Sequence, residues 1–450
     1  ESVFCLLGKK RMFDKIELAV KRIDELSKNK RIKIISHFDT DGITSAAIFS
    51  KALARWGKTF SLEIVKGLDE EYIKGLSNDE ILIFLDLASG SLNYLGNKKT
   101  EIFVFDHHEI TQEIPVNVLM INPVLEDFDS LSGAAICYLF ARTLSLQNKD
   151  LAYLAVIGMV GDLHEKSIGK VFSEILNDSE TTIKKGLLVY PSTRPLNKVL
   201  EYSSNPFIPG VSGSREGVLE LLRASGLTSE NGQYKALYEL TEEEMTKLVT
   251  SIMIKNHAQI DPESLIGNLF LIKFFNKLED ARELSALINA CSRMDFSHVA
   301  LGFCFGNKLF REEAEKIYIG HKQSLFSALK YFSESNEKVQ GKDYLIINAK
   351  DKIKDTIIGT VASIVSHSPL YPSGQVIIAL AYNGDKIKVS ARIVGKDGRN
   401  VRDLLSRAVI GLGGEVGGHP NAAGCLISKE KEIVFIEELR RVLEVEMVKV

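Results

Sequence analysis

Residues 103–123 read FVFDHHEITQEIPVNVLMINP, an apolar run that ends in an acid and two adjacent histidines, Asp106, His107 and His108. The chain has nine histidines in all, so a neighbouring pair at the end of a strand-like run asks for a chemical reason. Other apolar runs end in a similar way. RIKIISHFDTDG closes on His37, Asp39 and Asp41, EILIFLDLASG on Asp86, and the helix-like LAYLAVIGMVGDLHE on Asp162. Singly, each has a structural explanation: Asp41 as the N-cap of a following helix, Asp106 as a turn cap, His37 as a satisfied edge residue. Together they do not, because capping uses one acid per turn and not H-x-D-x-D followed by D and D-H-H. Clustered carboxylates repel one another, and a cation removes that repulsion. Oxygen and imidazole donors without thiolates suit Mn²⁺ or Mg²⁺ better than zinc, with enough groups for two ions. Two such ions can clamp a phosphoryl group and ionise the attacking water.

The elements around these residues must bring them to one place. A helix is predicted over 12–29, then a strand at 31–36, a helix at 42–57, and strands at 60–65, 80–85, 101–105 and 116–121. Helical patterns follow at 130–147 and 149–162. Alternating strands and helices imply a mostly parallel sheet covered on both faces, whose ligands bind beyond the carboxyl ends of the strands. From about 165 to 305 the character changes. YPSTRPLNKVLEYSSNPFIPGVSGSREG is rich in Pro, Gly and Ser and reads as the start of an inserted, largely helical region. Residues 308–335 read as one long connector helix, and GKDYLIINAK opens a last α/β domain with strands near 344–348, 375–382 and 386–393.

That last domain has its own candidates. GGEVGGHPNAAGC brings Gly417 and Gly418 up to His419, a backbone that can approach an anion closely beside an imidazole, or else a flexible hairpin. Ser390 and Arg392 share a strand face by two-residue alternation, which suits phosphate recognition. Arg392, Lys396, Arg399, Arg402 and Arg407 stand against only Asp397 and Asp403, either a nucleic-acid backbone track or a solvated helix face.

At 450 residues, 45% hydrophobic and 26% charged, the chain is expected to be a soluble protein of two or three domains. The net charge of −3 leaves any polyanion to be held by a local basic patch. There is no uninterrupted apolar stretch near 18 residues, so no membrane span is expected. The opening ESVFCLLGKKRMF lacks a signal-peptide cleavage pattern, and Met12 is a plausible natural start. Five scattered cysteines read as reduced thiols of a cytoplasmic protein.

HFDTDG, LDLASG, FDHHE and GMVGDL resemble, in order and spacing, the four motifs of the DHH phosphoesterase superfamily. KVSARIVG and GGEVGGHPNAAGC resemble the Ser-x-Arg and Gly-Gly-His motifs of the DHH-associated C-terminal domain. STRPLNKVLEYSSNPFIPG is similar to an insertion of archaeal RecJ-like proteins, the group that includes the GINS-associated nuclease, and LINACSRMD resembles the N-A-x-x-R segment of RecJ nucleases. The resemblance covers most of the chain. It implies an α/β fold: a parallel-sheet DHH domain over 1–165 and part of 166–305, a helical or mixed insertion at about 185–260, a connector helix at 306–338, and a smaller α/β domain at 339–450.

Carried over residue by residue, the resemblance implies that His37 and Asp39 hold one Mn²⁺ or Mg²⁺, that Asp41, His107 and Asp162 hold a second, and that Asp86 bridges them. His108 would face the substrate phosphate as the catalytic histidine and Asp106 would orient the histidines. Arg293, Ser390, Arg392, Gly417, Gly418 and His419 would bind substrate. The implied activity is a single-strand-specific exonuclease on DNA or RNA, in replication or repair. The alternatives are an oligonucleotide or small-nucleotide phosphatase of the same superfamily, and a replisome scaffold that binds GINS. Retention of every ligand type favours an enzyme over a scaffold, and the large insertion favours the nuclease over the phosphatase.

Overall fold

The computed structural model describes residues 3–126, 130–164, 168–203, 208, 210–229, 231–255, 265–367, 371–395, 398–414 and 416–445, with backbone alone for 3–10 and 445. Lys396 and Asp397 of the basic tract and the Cys5 side chain lie outside the described residues. Runs rich in Ile, Val, Leu and Phe form strands β1 (Arg31–His37), β2 (Phe60–Val65), β3 (Glu80–Leu85), β4 (Ile102–Phe105) and β5 (Val118–Ile121). They make an all-parallel sheet of order β2-β1-β3-β4-β5. The chain leaves β1 to one side and returns on the other, which puts a switch point between β1 and β3.

Around this sheet lie α1 (Val3–Leu26), α2 (Thr40–Arg55), α3 (Glu70–Gly75), α4 (Leu92–Leu95), α5 (Gly133–Leu144) and α6 (Ala152–Gly161). One face of the sheet packs with α2, α5 and α6, where Phe49, Phe105 and Phe140 meet ring to ring. The other face buries Leu82, Phe84 and Val104 with residues of α3 and α4. Burial on both faces explains why these strands read as continuous apolar runs and not as alternation.

After α7 (Lys170–Asp178) the chain enters strand β6 (Thr182–Leu187), then α8 (Leu196–Glu201), α9 (Arg215–Ala224) and α10 (Glu242–Lys255), and returns by β7 (Ile266–Phe274) and β8 (Lys277–Asp280). These strands form an antiparallel sheet of order β6-β7-β8 that the sequence did not predict. β6 is polar, TIKKGL, and its partner lies some eighty residues away, so neither composition nor local turns announce the pairing. Leu187, Leu200, Leu222, Leu248 and Ile252 give the helices a core of their own. Then α11 (Ala281–Arg293) packs on α6 and α12 (Ser297–Cys304) on α2, so this late segment belongs to the first sheet's core.

The long α13 (Lys308–Glu334) contains the division between the chain's two compact units, Glu1–Tyr318 and Ile319–Val450. The second unit holds β9 (Lys338–Gln340), β10 (Tyr344–Asn348), β11 (Val376–Asn383), β12 (Lys386–Ile393), β13 (Val416–His419) and β14 (Ala422–Ser428), in the order β13-β14-β12-β11-β10-β9. β10 and β11 are parallel and the other neighbours antiparallel. Helix α14 (Asp355–Ser366) covers one face, and α15 (Val401–Ala408) and α16 (Glu432–Val445) the other. Among the described residues no helix is long and apolar enough to cross a membrane.

Candidate metal centre

Register places the chemistry. Ser36 pairs with Leu85, and Leu85 with Phe105, so the three central strands end level. The next residues are His37, Asp86 and Asp106, which therefore emerge side by side. His37 Nδ1 lies 3.1 Å from Asp39 Oδ1 and 3.4 Å from Asp86 Oδ2. His107 Nε2 lies 3.2 Å from Asp86 Oδ1, 3.4 Å from Asp162 Oδ2 and 3.8 Å from Asp41 Oδ2. Asp86 thus stands between two imidazoles and turns one oxygen to each. Both oxygens are buried with no hydrogen-bond partner among the described residues.

This arrangement fits a divalent cation. Neighbouring donors around an octahedral ion with bonds of about 2.1 Å are about 3 Å apart, and the imidazole–carboxylate spacings of 3.1 to 3.4 Å match that. A buried carboxylate with no hydrogen bond is otherwise unfavourable. The Asp86 backbone has φ +58°, a left-handed conformation uncommon outside glycine, which turns the carboxylate into the cluster as the strand ends.

Burial, then the charges of Asp41 and Asp39, push the Asp86 carboxyl well above its ordinary range. Burial and then Asp162 raise that of Asp41. Burial is also the largest influence on His37 and pulls it down, but Asp39 and Asp86 together outweigh it and raise it to about 10.

The two acids of the first motif have separate duties. Asp39 is the N-cap of α2 and accepts the Gly42 N–H at 3.0 Å, so the cap expected at Asp41 lies two residues earlier. Asp41 accepts instead from the start of α5, Gly133 N–H at 2.6 Å and Ala134 N–H at 3.0 Å, where the helix dipole favours a carboxylate. A Cβ on Gly133 would stand 2.8 Å from Asp86 Cβ and 3.0 Å from Asp41 Oδ2, so only glycine lets α5 approach this closely.

Asp106 is fully buried. Its Oδ2 accepts from Ser89 N–H at 2.9 Å and Ser89 O–H at 2.6 Å, and its Oδ1 accepts the His107 N–H at 2.8 Å. Oδ1 also lies 2.7 Å from His108 Nδ1, so Asp106 orients the ring of His108 and only the backbone of His107. Asn122 Nδ2 donates to the His108 carbonyl at 2.9 Å, a further brace. The hydrogen bond that Asp106 accepts raises the His108 pKa, and the ring is exposed, with Nε2 the nitrogen not engaged by Asp106.

His37, Asp39, Asp41, Asp86, His107 and Asp162 are thus brought together. Arg293, at the end of α11, is largely buried, which lowers its pKa, and Asp39 is the charge that opposes this. Sequence reasoning missed His164. Its Nε2 lies 3.0 Å from Asp162 Oδ2, and with His107 and Asp162 it forms a group that could hold an ion. The signal was present in GDLHE, two residues past the chosen acid.

The second unit gathers the remaining candidates along strand rows. Arg392 pairs with Ala422, and Ala422 with His419; Ser390 pairs with Gly424, and Gly424 with Gly417. Directly paired residues of antiparallel strands share a face, so Ser390, Arg392, Gly417 and His419 lie on one side. Arg392 Nε donates to Ser363 Oγ of α14 at 2.8 Å, which places this face on the α14 side. Gly418 alternates to the other side, with φ +116°, and a Cβ there would stand 2.4 Å from the Ala422 carbonyl. Arg399 donates to the Leu443 carbonyl at 2.8 Å and pairs with Asp343, so it ties this unit together and is not a free member of the basic tract.

Residues 31–159 match the DHH family, N-terminal domain, residues 190–269 the DHH-CID domain, and residues 341–445 the DHHA1 domain. An uncharacterized protein of Methanocaldococcus jannaschii is 27% identical over 455 residues, covering 95% of this chain and 97% of that one. Among solved structures the chain is similar to Cdc45 from Entamoeba histolytica, with TM-score 0.68 and 13% identity over 96% of this chain and 99% of that one. It is also similar to exonuclease RecJ bound to manganese, with TM-score 0.59 and 16% identity over 95% and 93% of the two chains. At these identities the solved structures establish the shared fold.

Proposed function

We propose, from the premise that the chain belongs to the DHH phosphoesterase family, that it is a metal-dependent exonuclease acting on single-stranded DNA or RNA. One observation carries the reading: the buried Asp86 carboxylate, with no hydrogen-bond partner among the described residues, between His37 and His107. Asp106, an acid that braces the strand end and is no ligand in this reading, has both oxygens hydrogen-bonded instead. His37, Asp39 and Asp86 would hold one Mn²⁺ or Mg²⁺, and Asp86, His107, Asp162 and Asp41 a second. Bound there, the ions supply neutralisation of the carboxylates, polarisation of a phosphoryl oxygen and a more acidic attacking water.

The chain's own groups do the rest. His108, held at Nδ1 by Asp106, keeps Nε2 directed outward, where it can hand a proton to the departing oxygen. Arg293 adds a fixed positive charge beside Asp39. In the second unit Arg392 and His419 offer charge and hydrogen bonds to backbone phosphates, which carry no base identity. The likeness to Cdc45 supports the alternative of a replication scaffold that binds a partner such as GINS, but a scaffold has no need of the Asp86 arrangement.

The test uses end-labelled single-stranded DNA, single-stranded RNA and dinucleotides, each with Mn²⁺ and with Mg²⁺. Stepwise release of mononucleotides from single strands, lost in Asp86→Asn, is expected. Hydrolysis confined to dinucleotides would move the assignment to an oligonucleotide phosphatase. No hydrolysis under any condition would favour the scaffold.

A further inference from the structure

We infer that His164 is a metal ligand of the second site, beside His107 and Asp162, and that it biases this site toward Mn²⁺ over Mg²⁺. The inference rests on the metal-dependent reading above and adds a residue outside the ligand set that the sequence motifs imply.

Three observations carry it. First, Asp162 Oδ2 is approached by two imidazoles, His164 Nε2 at 3.0 Å and His107 Nε2 at 3.4 Å. Both spacings suit adjacent donors on one octahedral ion with bonds of about 2.1 Å, and the ligand atoms of His107, Asp162 and His164 all lie within 4.8 Å of one another. Second, His164 Nδ1 lies 3.1 Å from Ser130 Oγ. A partner on the other ring nitrogen fixes the direction in which Nε2 faces Asp162, as metal-bound imidazoles are commonly held. Third, Leu163 takes a left-handed conformation, φ +61°, and leaves most of its side chain in solvent. A leucine gains nothing from that backbone or that exposure. The turn it makes brings His164 back onto Asp162.

The side chain of His164 is only 11% exposed, so it does not stand in bulk solvent like an ordinary loop histidine. An imidazole matters for selectivity because Mg²⁺ prefers oxygen ligands while Mn²⁺ accepts nitrogen readily. With His164 the second site would offer two imidazoles, whereas the first offers only His37 among the residues brought together there.

The experiment measures metal binding by the 450-residue chain without turnover. Chelator-stripped wild type, His164→Ala and His164→Gln are titrated with Mn²⁺ and separately with Mg²⁺ by calorimetry, and the Mn²⁺ forms are examined by pulsed electron paramagnetic resonance for coupling to imidazole nitrogen. Wild type should bind two Mn²⁺. Both variants should keep one of them, which also reports that they are folded, and bind the other at least about 100-fold more weakly. Mg²⁺ affinity should change by less than about threefold. The nitrogen coupling of the weakened site should fall by one imidazole. Unchanged Mn²⁺ affinity and coupling would overturn the inference and leave the metal-dependent reading intact. Weaker binding with unchanged coupling would also overturn it, making His164 a brace for Asp162. Wild type that binds no Mn²⁺ would overturn the metal-dependent reading itself.

Discussion

The N-terminal sheet collects its functional groups beyond the strand ends, whereas the C-terminal sheet collects its own along strand rows. The first plan draws together side chains at the ends of β1, β3, β4 and α6 and leaves the buried Asp86 carboxylate with no hydrogen-bond partner among the described residues. The second plan leaves less unresolved: Arg392 already donates to Ser363 Oγ and to the carbonyls of Ala391 and Ala423. A centre that is incomplete without a ligand should fail all at once when broken. A surface that is satisfied on its own should lose function by degrees.

The largest effect should come from Asp86→Asn. Asparagine matches the size and tolerates the left-handed backbone at φ +58°, which alanine would strain, so the variant isolates the charge. Hydrolysis of every substrate should vanish in end-label assays. The same substitution should raise the melting temperature of the metal-free protein, because it relieves a buried acid that Asp41 and Asp39 disfavour. Wild type should gain stability from metal that the variant does not, about 2.7 kcal/mol at a concentration one hundred times the dissociation constant. Full activity in a folded Asp86→Asn protein would end the contrast between the two plans.

Next in size is His108→Ala. Turnover should fall on the order of a hundredfold while metal content stays near two per chain, since the ring is held by Asp106 and not by the cluster. Metal analysis beside single-turnover rates separates the roles: loss of an ion from this variant would mean that His107 and His108 have exchanged duties.

Arg392→Ala should show graded behaviour, a loss of about ten- to a hundredfold in affinity or rate, from one charge-assisted contact of roughly 1.5 to 3 kcal/mol. The loss should be the same for dinucleotides and long strands, and calorimetric metal affinity should not move. A change in metal binding would show that the two regions are not separable in function.

These two plans also explain what could be read from the sequence. Strand-end acids are legible because an apolar run marks the strand and the next polar residue marks its end, so His37, Asp86 and Asp106 could be named directly. The coverage of α5 by Asp41 was not legible, because its partners Gly133 and Ala134 lie some ninety residues on. His164 was overlooked because a turn at Leu163, and not any periodicity, returns it to Asp162. In the second unit Ser390 and Arg392 were paired by alternation, but their alignment with Gly417 and His419 depends on β14, an Ala- and Gly-containing strand with weak local preference. The β6-β7-β8 sheet stayed hidden for the same reason: register between distant segments is a tertiary property.

The smallest effects should come from the basic tract, and they divide it. Arg399 is mostly buried, donates to the Leu443 carbonyl and pairs with Asp343, so Arg399→Ala should lower the stability of the second unit by about 1 to 2 kcal/mol. Its activity per folded molecule should be unchanged, because its guanidinium is committed to Leu443 and Asp343. Arg402 is exposed in the first turn of α15. Its replacement by alanine should leave stability and dinucleotide cleavage as they are. If the helix follows a polymer backbone, the log–log slope of long-strand binding against salt should fall by about 0.7, the value for one phosphate contact with a single strand. An unchanged slope would assign α15 to solvent and confine polymer recognition to the face that carries Arg392 and His419. A loss on dinucleotides in Arg402→Ala would instead extend that face across the sheet, and the graded plan would then involve more than one strand row.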